Sequence, residues 1–63
     1  MSITKTEVID GIVAEYKRRF KFYSEDVLES VIEGYYREHD IKLSSDDMVS
    51  VWTESATNIR NEI

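Results

Sequence analysis

The chain has no cysteine, no proline, one histidine and two glycines among its 63 residues. Without cysteine it can have neither a disulfide framework nor a thiolate zinc site. A lone histidine, His39, also argues against a histidine-based metal site. Without proline, no helix is broken from within. No apolar run approaches the roughly 20 residues of a membrane span. The first residues lead straight into a patterned segment that lacks the apolar core of a secretory signal. A cytoplasmic, reducing setting is therefore expected.

Positive charge is also scarce. Thirteen acidic residues against eight basic ones give a net charge of −5, a field that repels nucleic acid and anionic lipid alike. A chain this short forms one domain, residues 1–63, and such domains bury only about 60 % of their unfolded surface. The core must come from packing alone. Hydrophobic residues make up 41 % of the chain, too many for typical disorder and enough for such a core.

Three start signals divide the sequence. Thr4-Lys5-Thr6-Glu7 fits a capping box, with Ile3 and Val8 placed to staple it. Val8, Ile9, Ile12, Val13, Tyr16 and Phe20 then recur at helical spacing, with Glu7 and Asp10 early and Lys17, Arg18, Arg19 and Lys21 late, as the helix dipole favours. Ser24 is the next cap, followed by Glu25 and Asp26. Behind it Val27, Leu28, Val31, Ile32, Tyr35, Tyr36 and His39 cover nearly half a helix circumference, which suits a middle helix touching two others and organising the core. Gly34 lies near the edge of that face and suggests close approach by a neighbour. His39 to Lys42 reads as a connection. Ser44 and Asp47 repeat the cap pattern, with Leu43 stapled to Met48, and Met48, Val51, Trp52, Ala56, Ile59 and Ile63 form a narrower face. The expected fold is all-α, a small three-helix bundle with helices at roughly 5–21, 25–39 and 45–62. Phe20 to Tyr23 is prone to extended structure, but no second strand pattern exists to pair with it.

The second helix carries an acidic ridge. Glu25, Glu29 and Glu33 lie four residues apart and rise about 6 Å per step, with Asp26 and Asp40 flanking them. Like charges at this spacing destabilise a helix by a few tenths of a kcal/mol per pair. Such a cost favours a surface for a basic protein partner or, more narrowly, imitation of DNA; the plain alternative is a solvated face partly neutralised by Arg37 at Glu33. Tyr36 sits beside the ridge as an anchor. The expected partner-binding set is Glu25, Asp26, Glu29, Glu33 and Tyr36, on a small acidic protein that regulates or inhibits a larger, basic or nucleic-acid-binding one.

Other constellations point elsewhere. Tyr16 to Tyr23 interleaves bases with aromatics, the composition of a nucleic-acid-binding surface. In a helix, though, Lys17, Arg18 and Arg19 diverge and Tyr16 and Phe20 face the core. A helix-turn-helix reader would place bases near the start of the third helix, where Asp46 and Asp47 stand, so direct nucleic-acid binding is disfavoured. Ser50, Thr53, Thr57 and Asn61 form an uncharged face suited to packing on another chain, and a homodimer is a further alternative. Trp52 is expected in the core. No nucleophile elbow, phosphate loop or carboxylate pair in a recognisable context is present, so no catalytic, cofactor-binding or metal site is expected.

Overall fold

Two of the three expected capping residues close their helix starts. Thr4 Oγ1 accepts from the Glu7 N–H, and Ser44 Oγ accepts from the Asp47 N–H, both at 3.2 Å. Each satisfies one of the donors that a helix start leaves unpaired. Ser24 also holds an N-cap position, with extended backbone, but its side chain makes no capping bond. The computed structural model describes residues 4–63, so the staple expected of Ile3 lies outside the described residues. Three helices follow these caps: α1 (Lys5–Arg19), α2 (Glu25–His39) and α3 (Ser45–Glu62). They pack with contacts between every pair and no strand among the described residues, a small three-helix bundle.

α1 stops two residues before the expected end. Phe20 turns to extended backbone, and the buried Tyr16 hydroxyl organises what comes next. It donates to the Phe22 carbonyl at 2.7 Å and accepts from the Ser24 N–H at 2.9 Å. A side chain on the core face of α1 thus bonds the backbone that enters α2. The cluster is reinforced by the Phe20 ring, tilted on Tyr16, and by Phe22 meeting Phe20 edge-on.

The core is organised by α1, not by α2 as its broad apolar arc suggests. Val8, Ile9, Ile12, Val13 and Tyr16 of α1 are all buried, facing Val51, Ser55, Ala56 and Ile59 of α3. α2 buries only Leu28, Val31 and Ile32; Val27, Tyr35 and Tyr36 are half-buried and His39 is exposed. The arc of α2 is wider than its two neighbours can cover, so one margin of it stays open.

Ile41, expected in a connection, joins the core instead. Its N–H bonds the Tyr36 carbonyl at 2.9 Å and the Asp40 N–H bonds the Arg37 carbonyl, with Asp40 at φ 51°. This is a complete Schellman ending, which turns the chain back over the helix it has just left and brings the following apolar residue down against it.

Gly34 does not admit a neighbour: a Cβ there would meet nothing within 4 Å. The close approach occurs at Gly11, where a Cβ would overlap the end of the Tyr35 ring.

Candidate docking site

The ridge spacing on α2 is regular, but the turn of the helix splits its carboxylates between different neighbours. Glu29 and Glu33 stand with Tyr36 on the margin facing the first turns of α3. There they meet Met48, Val49 and Trp52 across a groove of about 280 Å³ floored by Ile32. Asp26 turns the other way, into a cleft shared with Arg19, Phe20 and Val27. Glu25 lies near Tyr23, whose phenol is pushed above its ordinary value, first by burial and then by that carboxylate. Of the five expected partner-binding residues, the structure therefore gathers Glu29, Glu33 and Tyr36.

The groove is apolar and open. Val49 is 66 % exposed and Met48 43 %, while Trp52 and Tyr36 are half-buried, packed against the core from outside. Trp52 is expected in the core, and Met48 on the same apolar face as the staple partner of Leu43. They fall short of the core: with Ile32 and Tyr36 of α2 they line the open groove, Trp52 half-buried and Met48 exposed. Val49 belongs to no helical stripe of the sequence. An apolar residue off the stripe, next to one on it, was the available signal for this patch.

Its acidic rim is unneutralised. The ion pairs among the described residues join Lys17 to Glu62, and Arg18 and Arg19 to Glu15. The expected pairing of Glu33 with Arg37 does not form. Two carboxylates without a counter-charge thus border an apolar depression. At its edge the Tyr36 hydroxyl is buried without a hydrogen-bond partner, and burial holds its phenol above the usual value.

The basic-aromatic segment has a different character. Lys17 is tied to Glu62 at 2.6 Å, and Arg18 and Arg19 to Glu15, the latter at 3.7 Å. Arg19 also lies over the Phe20 ring and Arg60 over Tyr23. Lys21 is exposed and outside these pairs, next to Phe22, which is 55 % exposed. The uncharged face of α3 is partly self-satisfied, since the Thr57 hydroxyl donates to the Thr53 carbonyl at 3.0 Å. Among the described residues, no cluster of three or more potential metal ligands is arranged around a common point, and no helix is long and apolar enough to cross a membrane.

The groove between α2 and α3 thus unites an open apolar surface with uncompensated charge. Set beside known protein families, curated proteins and solved structures, the chain matches none of them, and its function must be argued from this geometry.

Proposed function

We propose that this protein is a docking module that regulates a larger protein by taking one of its basic segments into the α2–α3 groove. The observation that carries this reading is the pairing of exposed Met48 and Val49 with the unpaired carboxylates Glu29 and Glu33. Apolar side chains left in water favour contact with a partner, and aromatic residues such as Trp52 and Tyr36 are common anchors of protein interfaces. Carboxylates at the rim steer a cationic segment toward the groove and fix its register, raising the association rate more than the final affinity. A segment with Lys or Arg flanking an apolar anchor meets both demands. Membrane and direct nucleic-acid binding fit less well, because the net charge of −5 repels both surfaces.

Trp52 is the only tryptophan and lines the groove, so its emission reports occupancy directly. Titration with a Lys- and Arg-rich amphipathic peptide is expected to shift that emission to the blue, with affinity falling as salt is added. The variant Glu29→Lys/Glu33→Lys is expected to bind at least about tenfold more weakly, the scale of about 1.4 kcal/mol. Unchanged emission, or equal binding by that variant, would remove the reading.

A further inference from the structure

The chain itself carries a segment of the kind its groove is suited to receive. At the α1–α2 junction Phe22 is 55 % exposed, and the backbone around it is held by the Tyr16 hydroxyl, which bonds the carbonyl of Phe22 and the N–H of Ser24. One edge of the ring rests on Phe20 and the rest of the ring is open to a partner. Lys21 stands beside it, exposed and outside the ion pairs that occupy Lys17, Arg18 and Arg19.

We infer that the α2–α3 groove of one copy receives the Lys21–Phe22 projection of a second copy, joining the molecules head to tail. This rests on the docking reading above and names an occupant for the same groove. Charge and shape are complementary: a cation beside an aromatic ring on one surface, and the carboxylates Glu29 and Glu33 beside an apolar depression on the other. An apolar cavity of about 150 Å³ holds a benzene molecule, so a groove of about 280 Å³ has room for a phenyl ring. The projection cannot fill its own groove. It lies beside the last turn of α3, where Tyr23 meets Arg60, whereas the groove is built on the first turns of that helix, and the molecule is 31 Å long. Because the two contacting surfaces differ, the contact leaves a free groove at one end and a free projection at the other, and it can propagate into open chains.

Two copies of net charge −5 repel at a distance. At about 0.1 M salt the screening length is roughly 10 Å, so this repulsion fades while the close Lys–Glu contact survives. The test is sedimentation velocity at that salt, from roughly 10 µM to roughly 1 mM, the range of weak protein contacts. Wild type is expected to grow in mass with concentration. Lys21→Glu/Phe22→Ser keeps the groove and loses the projection; Met48→Ser/Val49→Ser keeps the projection and loses the groove. All four positions are exposed, and helical circular dichroism checks that each variant keeps the folded bundle. Each variant alone should stay monomeric, and an equimolar mixture should form a dimer that grows no further. A monomeric wild type across the whole range overturns the inference, as does undiminished association of either variant alone. If wild type stays monomeric while a cationic peptide still shifts Trp52, the docking reading stands without self-occupancy. If neither occurs, both fall.

Discussion

The side chain of Tyr35 lies across Gly11, with its hydroxyl in the space that a Cβ at that position would take. Tyr35 also lies against the His39 ring, with centroids 4.3 Å apart and the planes tilted by 39°. The two glycines of the chain therefore have opposite standing. Gly34→Ala meets nothing and should stabilise the fold by about 1 kcal/mol, the difference in helix propensity. Gly11→Ala should give no net gain, because the added methyl displaces Tyr35. In a Tyr35→Ala background the same change should recover about 1 kcal/mol. Urea unfolding of the four variants closes the cycle; an equal gain at both glycines in the wild-type background would show that Tyr35 is not held against α1.

Tyr16 is fully buried, and its hydroxyl serves both a donor and an acceptor of the following connection. Tyr16→Phe keeps the ring and strands the Phe22 carbonyl and the Ser24 N–H. Both groups are only part-buried, so the expected loss in urea unfolding is that of a typical hydrogen bond, about 1 kcal/mol. Ser24→Ala is a useful control. Since the Ser24 side chain makes no cap bond, it should cost less than the roughly 1 kcal/mol usual for losing an N-cap. A Tyr16→Phe protein as stable as wild type would mean that the connection does not depend on the hydroxyl.

Asp40 adopts a left-handed conformation at the end of α2. A Cβ there is unfavourable by roughly 1–2 kcal/mol, although aspartate bears it better than most residues. Its carboxylate also sits at the negative end of the helix dipole. Asp40→Gly should raise the urea midpoint by the equivalent of about 1 kcal/mol without changing the slope. Asp40→Ala, which retains the Cβ, should not match it. A destabilised Asp40→Gly protein would show that the aspartate side chain contributes more than its backbone strain removes.

These residues also show why the bundle was legible in the sequence while its surface was only partly so. Thr4 and Ser44 announce their helices through local chemistry, and the stripe from Val8 to Tyr16 is local periodicity; neither depends on how the helices cross. The burial of Ile41 depends on the Schellman turn at Asp40, and spacing alone gives no sign of a left-handed aspartate. Likewise the i, i+4 spacing of Glu25, Glu29 and Glu33 reveals a ridge. Which of its members face α3, and which way Asp26 turns, follows from the rotation of α2 about its axis. The groove depends on the same rotation, because Met48 and Trp52 have core spacing and yet line an open depression with Ile32 and Tyr36.

Tyr36 gives the candidate site a signature at alkaline pH. Its hydroxyl is buried without a partner, and burial raises its ionisation above the ordinary phenol value. A group whose folded pKa is raised holds its proton more tightly in the folded state. Below the unfolded value of about 10 both states are protonated and the group adds no pH dependence. As pH rises past that value the unfolded chain ionises first, and stability drains away until the folded phenol ionises too. Tyr36→Phe removes this loss and also an unsatisfied buried hydroxyl. The variant should therefore be as stable as wild type or more so at about pH 8, and should lose less stability by about pH 11. Tyr23, raised by burial and by Glu25, remains in both proteins, so the variant should keep a reduced slope rather than none. Parallel losses in the two proteins would show that the Tyr36 hydroxyl reaches water.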